Sequence, residues 1–396
     1  MADIHFFTSV TANYIPKARV LAKSVKRNFD HAIFHLVLSD RLPDGIDLKA
    51  EPFNSVIHIS DLEIPHLDAW IFQHSLVELC TAVKGSAFEY ILETYQAEKI
   101  VFLDPDIVVL HSLDELSELL DKSSIVLTPH LVAPESSYEA ILDNEICALK
   151  HGVYNLGFLA IRRSPESLAF INWWRSRLLA FCYDDIPGGL FTDQRWVDLA
   201  PAFFNDICIL RDKTYNVATW NLTHRQVDLG DSQTYRIESV PVKFFHFSGF
   251  DSGDQEIMLG KYAGDNQALF QFREWYILEL KKEGQQELGG LSCMYDHYSN
   301  GEKIPNAHRI LYRSRIDVIQ AFPTPAVVTE DGNCYYHWVK AWEKEAAVSG
   351  CDPYLLELEN KLLAVQNERD SIVNSNFWKV TRPLRELAHW LKMTFS

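Results

Sequence analysis

No Cys-x-x-Cys pair occurs in this sequence, although Cys80, Cys147, Cys182, Cys208, Cys293, Cys334 and Cys351 are spread along it. An odd, scattered set argues against a disulfide framework or a structural zinc site and fits a reducing compartment. No Gly-x-Gly-x-x-Gly and no Walker loop is present, so neither a dinucleotide cofactor nor P-loop chemistry is indicated. No apolar run approaches the roughly 20 residues a membrane-spanning helix needs. Met1-Ala2-Asp3-Ile4-His5-Phe6-Phe7 lacks the basic-then-apolar form of a signal peptide. Basic residues are scarce, 37 against 54 acidic, and the net charge of −17 argues against nucleic acid as a partner of the body. Together these absences predict a soluble, cytoplasmic protein.

What the chain does have is ample core material, 47% hydrophobic and 12% aromatic over 396 residues. That suffices for one large α/β domain with an appendage, or for two domains. The most informative stretch is Lys99-Ile100-Val101-Phe102-Leu103-Asp104-Pro105-Asp106-Ile107-Val108-Val109-Leu110. An apolar run rich in β-branched residues reads as a fully buried strand, which places Asp104 and Asp106 at a strand end, where open α/β sheets bind ligands. On an extended chain, residues i and i+2 point the same way. Two neighbouring carboxylates repel, and burying them unpaired costs several kcal/mol. A divalent cation relieves both, and hard oxygen ligands suit Mg²⁺ or Mn²⁺ bridging to a diphosphate. A strand-ending turn with two solvated acids is the plain alternative; the buried strand before it favours the metal.

Taken in order, Ile4 to Val10 reads as a first strand ending in Thr8-Ser9-Val10-Thr11, followed by Asn13, Tyr14 and a helix over Ile15 to Phe29. Strand, small polar turn and helix is the α/β arrangement for a nucleotide pocket. Further strands are expected at Ile33 to Leu38, Phe53 to Ile59, Ile125 to Thr128 and Val242 to Phe247. Leu76 to Thr94 reads as one helix carrying Lys84, either solvated or reaching back to a phosphate. His58, His66 and His74 recur every eight residues, which fits no single face, so they are not read as ligands. Asn155 and Gly157 enter another strand, where a ligand can approach the backbone or a bulge can form. A Gly188-Gly189 loop leads to Thr192-Asp193-Gln194, where an N-cap is the ordinary role for Thr192 or Asp193. His246 lies in an apolar run, as a core histidine or a ligand.

The ordered set resembles the metal-dependent nucleotide-sugar glycosyltransferases of the GT-A fold, most closely glycosyltransferase family 8 and bacterial polysaccharide enzymes like it. The matching pieces are Thr8-Ser9-Val10-Thr11 with Asn13-Tyr14, Phe102-Leu103-Asp104-Pro105-Asp106, Tyr154-Asn155-Leu156-Gly157, Asp193-Gln194 and Phe245-His246-Phe247-Ser248-Gly249. They span residues 4–265 in the family's order. The resemblance implies a GT-A (Rossmann-like) α/β fold with a mixed, mostly parallel central sheet flanked by helices and a helical C-terminal extension. It implies a nucleotide pocket of Thr8, Ser9, Thr11 and Tyr14, with Lys84 and Gly249 at the diphosphate. Asp104, Asp106 and His246 would ligate Mn²⁺, which an imidazole beside two carboxylates suits better than Mg²⁺. Asn155 and Asp193 would hold the donor sugar and Gln194 would lie near its reactive carbon, with retention of configuration.

One departure stands out. After His246 and Gly249 the family's Lys-Pro-Trp is replaced by Phe250-Asp251-Ser252-Gly253-Asp254, leaving Lys261 as the candidate second lysine. Residues 1–268 are expected to form the catalytic domain, 269–350 a helical extension packed on it, and 351–396 a helical tail. In that tail Leu355, Leu358, Leu362, Val365 and Ile372 keep a heptad-like spacing for a short coiled coil. Lys379, Arg382, Arg385 and Lys392 stand against Glu386 alone, with Leu387, Trp390, Leu391 and Phe395 on one face. That pattern fits an interfacial helix on an anionic membrane or a helix docked on the body. Asn376 to Arg385 also resembles a stretch of O-antigen and capsule glycosyltransferases. The partners implied are a nucleotide-sugar donor, a UDP-sugar by resemblance, and a glycan or lipid-linked glycan acceptor at the inner membrane; an oligomer is compatible. The rivals are a haloacid-dehalogenase-like phosphatase, whose Asp-x-Asp-x-Val loop Asp104 to Val108 also matches, and a non-catalytic glycan-binding or scaffold subunit.

Overall fold

The computed structural model describes residues 3–230 and 234–349. The tail 351–396, with its coiled-coil and membrane expectations, lies outside the described residues. Chain contacts divide the protein into two compact units, residues 1–309 and 310–396. In the second, the ring of Tyr312 lies 5.0 Å from that of Tyr335, on the helix Tyr335–Ser349.

The first unit is built on a seven-stranded sheet. Its strands are β1 (Ile4–Val10), β2 (Ala32–Leu38), β3 (Ser55–His58), β4 (Lys99–Leu103), β6 (Ile125–Pro129), β7 (Tyr154–Arg162) and the segment Ile207–Ile209; β5 (Ile107–Val109) lies outside it. The spatial order is Ile207–Ile209, β6, β7, β4, β1, β2, β3. Only β7 runs against its neighbours, so the sheet is mixed and mostly parallel, as expected. Its strands are buried on both faces, with Phe7, Ile100 and Phe102 in one core and Phe6, Val101 and Leu103 in the other. This is what continuous apolar strands covered by helices produce. Helix α1 (Ile15–Asn28) closes one face with Ile15, Ala18, Leu21, Ala22 and Val25, and its last turn carries Lys26 and Arg27, complementing the helix dipole.

The order places the topological switch at β1. The chain leaves β1 toward β2 and β3, then returns to lay β4 on β1's other edge. β4 pairs with β1 only as far as Phe7–Phe102, whereas β1 pairs with β2 to its last residue, Val10. Thr8 to Val10 therefore run on beside the corner where β4 ends, and ligands of open α/β sheets bind in such a crevice. β7 enters from the opposite direction, pairing Phe158 with Leu103, so its beginning, not its end, reaches the same corner.

Two local differences bear on the site. Leu76 to Thr94 forms two helices, Leu76–Ala82 and Lys84–Thr94, meeting at Val83. Gly85 lies at that junction against Arg175, where an added Cβ would stand 2.7 Å from its Cα. The break puts Lys84 in the first turn of the second helix. The Val242 to Phe247 strand is shorter, Phe244–His246, and pairs antiparallel with β5, opposing His246 to Ile107.

Candidate metal centre and its cavity

β4 ends at Leu103, and the Asp104 N–H donates to the Gly157 carbonyl at 2.8 Å. Pro105 and Asp106 form a tight turn, closed by the Ile107 N–H on the Asp104 carbonyl at 3.1 Å. A turn, not the alternation of an extended strand, thus brings the two carboxylates together. The register of β5 with Phe244–His246 then sets the imidazole beside them: His246 Nε2 is 3.1 Å from Asp106 Oδ1 and 3.8 Å from Asp104 Oδ2. One ligand atom from each of these three residues lies within 4.8 Å of the others, the one such group among the described residues.

The surroundings fit a metal ion. A Cβ on Gly157 would stand 2.5 Å from His246 Cε1, 2.8 Å from Asn155 Oδ1 and 2.9 Å from Asp104 Oδ2, so two of the three ligands, with Asn155, close around a place only glycine leaves free. Two carboxylate oxygens and one imidazole nitrogen are a donor set suited to a divalent ion of the Mn²⁺ kind. Asp184 and Asp185 are exposed and pair with Leu190–Phe191 in a two-strand ribbon, and neither belongs to the Asp104, Asp106 and His246 group.

The carboxylates are not left to repel each other. Lys84 Nζ, 3% exposed, lies 3.5 Å from Asp104 Oδ1, 2.9 Å from Asp193 Oδ2 and 3.1 Å from the Leu156 carbonyl, and 4.1 Å over the Phe102 ring. Burial pulls the Lys84 pKa down, yet Asp104 and Asp193 outweigh it and leave it raised. Burial pushes Asp106 up, but His246 and, after it, Lys17 hold it below the usual carboxylate range. Burial keeps Asp104 raised despite Lys84 and His246. His246 is pulled down by burial and pushed up more strongly by Asp106 and Asp104.

Behind the imidazole stands a residue the sequence reading passed over. Asn216, in a left-handed conformation at φ 53°, places Oδ1 3.3 Å from His246 Nδ1. Its amide nitrogen donates to Asn155 Oδ1 at 3.0 Å, and its carbonyl accepts from Arg225 and Asn221. The only signal in the sequence was the residue type, since Asn tolerates the left-handed region better than most residues. His130 Nε2 meets Asn155 Nδ2 at 3.1 Å, and burial takes its pKa down to about 4.

Asn155, Asp193 and Gln194 all line a cavity of about 670 Å³ with Asp104, His246 and Lys84. Asp193 occupies an N-cap position, but its side chain accepts no helix N–H; it turns to Lys84. Gln194 is fixed at both ends, Oε1 accepting from Leu156 N–H at 2.9 Å and Nε2 donating to the His151 carbonyl at 2.9 Å. Thr192, at φ 45°, donates to Asp193.

At the other end of the crevice, Thr8, Ser9 and Thr11 are buried, and the Thr8, Ser9 and Ser39 hydroxyls have no hydrogen-bond partner among the described residues. Buried polar atoms left this way ask for a ligand or water. Asp40, not singled out from sequence, accepts from the Ala12 N–H at 3.0 Å and the Met294 N–H at 2.9 Å. Gly249 turns at φ 74° and lines the cavity. Lys261 is tied to Glu139 at 2.7 Å and to Asp143, which lines the cavity's outer wall, and it is not among the groups gathered at Asp104 and Asp106. Tyr14 and Lys17 instead reach the same oxygen of Asp251.

No protein-family model matches the chain. The chain is 23% identical over 320 residues to the uncharacterised Bacillus subtilis (strain 168) protein YfnD, covering 78% of this chain and 99% of that protein. It is 23% identical over 175 residues to YfnF of the same organism, covering 44% of this chain and 57% of that one. Among solved structures, the galactosyltransferase LgtC in complex with donor and acceptor sugar analogs aligns at 18% identity and TM-score 0.37, covering 62% of this chain and 87% of its own. The apo-form glycosyltransferase GlyE of Streptococcus pneumoniae TIGR4 aligns at 16% identity and TM-score 0.39, covering 71% and 64%. Likeness of this degree leaves the functional case to the residues of the site.

Proposed function

We propose that this chain is a metal-dependent glycosyltransferase of GT-A type that moves a sugar from a nucleotide-sugar donor, a UDP-sugar by resemblance, to a glycan acceptor with retention of configuration. The observation that carries the reading is the convergence of Asp104, Asp106 and His246 on one place at the switch point, with Asp104 and His246 lining the cavity that also holds Asp193 and Gln194. Asp104, Asp106 and His246 would hold the ion, which when bound neutralises the charge that develops on the leaving diphosphate.

The chain's own residues supply the rest. Thr8, Ser9 and Thr11 offer buried hydroxyls at the end of β1 for the nucleoside. Lys84 fixes Asp193 so that one carboxylate faces the cavity at a set position, available to the donor sugar. Cationic character at the sugar carbon is stabilised by a nearby carboxylate or amide oxygen. Gln194, held by two backbone groups, presents its amide oxygen without rotamer freedom, so little ordering is needed during reaction. Asn155, braced by Asn216 and His130, is suited to a sugar hydroxyl. A lipid-linked acceptor at an inner membrane, and peripheral attachment through residues after about Ser375, rest on the sequence alone. Among the described residues no helix is long and apolar enough to cross a membrane.

Incubating the full chain with a panel of nucleotide sugars and Mn²⁺, and following nucleoside diphosphate release, tests the reaction. Proton NMR of the transferred sugar's anomeric signal tests retention. Co-sedimentation with anionic vesicles, comparing the full chain with one ending at Ser375, tests the attachment.

A further inference from the structure

A leaving diphosphate brings more negative charge than one lysine answers, and the cations near the acidic corner are differently committed. Lys84 is held by Asp104, Asp193 and the Leu156 carbonyl. Lys261 is held by Asp143 and Glu139. Lys17 stands apart from both. It lies in the first turn of α1, just past the end of β1, with its side chain 3% exposed, and its charge reaches Asp106. Its ion-pair partner among the described residues is Asp251, 49% exposed, at the tip of the loop that follows Phe244–His246.

We propose that Lys17, with the Tyr14 hydroxyl, is the receptor for the donor's diphosphate, and that the Asp251 carboxylate holds this place until the donor displaces it. The inference rests on the glycosyltransferase reading and deepens it at one pair of residues.

The geometry supports an exchangeable anion. One oxygen of Asp251 accepts from both the Lys17 ammonium and the Tyr14 hydroxyl, and that ammonium lies 4.2 Å over the Tyr14 ring. Two donors aimed at one oxygen make a ready seat for any carboxylate or phosphate oxygen. A buried ammonium is costly without an anion, so release of Asp251 alone is unfavourable, whereas exchange for a more highly charged phosphate is not. An ion pair half in water is weakly held on the carboxylate side. The backbone of the loop is fixed apart from the exposed carboxylate: Phe250 packs edge-on against Tyr276, which leaves the Asp251 side chain as the group that exchanges. The loop turns at Gly249 (φ 74°) and Gly253 (φ 86°), in the region that favours glycine, while Gln255 N–H to the Gly249 carbonyl, 3.0 Å, fastens its base. In the family's pattern this loop carries a lysine; here it carries an acid that masks one.

The test is calorimetric titration of the full chain, in Mn²⁺, with UDP, GDP, ADP, dTDP and inorganic pyrophosphate. Asp251→Asn removes the competing charge and is expected to tighten nucleoside diphosphate and pyrophosphate about tenfold, while lowering the melting temperature of the ligand-free protein. Lys17→Met is expected to weaken both ligands about tenfold or more, with Lys17→Arg recovering most of the loss. In the Lys17→Met background, Asp251→Asn is expected to tighten nothing further. An Asp251→Asn protein with unchanged or weaker nucleoside diphosphate binding would mean that Asp251 is a plain structural clamp; that overturns the proposal and leaves the glycosyltransferase reading intact. Absence of nucleoside diphosphate binding by the unaltered chain overturns both. If Lys17→Met fails to fold, Asp251→Asn, an exposed and isosteric change, decides the question alone.

Discussion

Gly157→Ala is the smallest change that should dismantle the metal centre. The new methyl would stand 2.5 Å from His246 Cε1, about 1 Å inside the ~3.5 Å at which carbon atoms rest in contact. It would also press on Asp104 Oδ2 at 2.9 Å and Asn155 Oδ1 at 2.8 Å. The imidazole cannot back away freely, because Asn216 Oδ1 lies 3.3 Å from its Nδ1 and the Trp220 ring stands edge-on with centroids 5.4 Å apart. Asp104 is likewise tied, by its N–H to the Gly157 carbonyl itself. Crowding of this kind in a packed interior costs about 1–3 kcal/mol of stability. Because two of the three ligands must shift, Mn²⁺ affinity should fall by about a hundredfold or more, beyond the usual loss from disturbing a neighbouring shell. Urea unfolding and Mn²⁺ titration measure the two effects on one protein. A Gly157→Ala chain that binds Mn²⁺ as tightly as the unaltered protein would mean that Asp104, Asp106 and His246 do not form one site.

Three further outcomes follow from the same geometry. Asn216→Gly keeps the left-handed backbone but removes the prop behind His246, so Mn²⁺ affinity should drop about ten- to a hundredfold with little loss of stability; equal affinity would deny Asn216 that role. Lys84→Met leaves buried Asp193 and part-buried Asp104 without their cation and should destabilise by about 3–5 kcal/mol near neutral pH, the loss shrinking as pH falls because Asp104, already raised by burial, gives up its charge more readily without the lysine; a pH-independent loss would contradict this. His35, in contact with His5 at 2.9 Å and Ser55 at 2.6 Å, is pushed by burial, then by His5, down to about 3. Below pH 6.5 the unfolded chain therefore binds the extra proton, so stability is complete above that pH and falls by about 2–3 kcal/mol on reaching pH 4.5. A His35→Gln chain should show a flatter urea-midpoint profile between pH 7 and 4.5, and an identical slope would count against it.

The apolar run before Asp104 marked a central strand because burial on both faces demands continuous hydrophobicity, and β4 is that strand. The site was legible wherever a residue's own neighbours in sequence announced it. Asp104 and Asp106 ended a strand, Asn155 and Gly157 opened one, and His246 closed another. Partnerships made by strand register and helix ends were not legible. Nothing near Lys84 reveals that it meets Asp193, and nothing near Lys17 reveals Asp251. The charge balance suffered most from this. Repulsion between two acids alone predicts that neutralising Asp106 relieves the ligand-free protein. The structure reverses the sign, because His246 and Lys17 already favour its charged form. The break at Val83 was hidden as well, since it coincides with the close approach of Gly85 to Arg175, a tertiary contact without a local signal.

Nucleoside diphosphate release from a nucleotide-sugar panel, measured side by side for the unaltered chain and Asp106→Asn, tests the central claim most directly. The account predicts that the unaltered chain consumes at least one donor, that EDTA abolishes this and Mn²⁺ restores it, and that Asp106→Asn is slower by about a thousandfold or more. A chain that consumes no donor with Mn²⁺ present, or an Asp106→Asn protein that turns donor over at close to the unaltered rate, would contradict it.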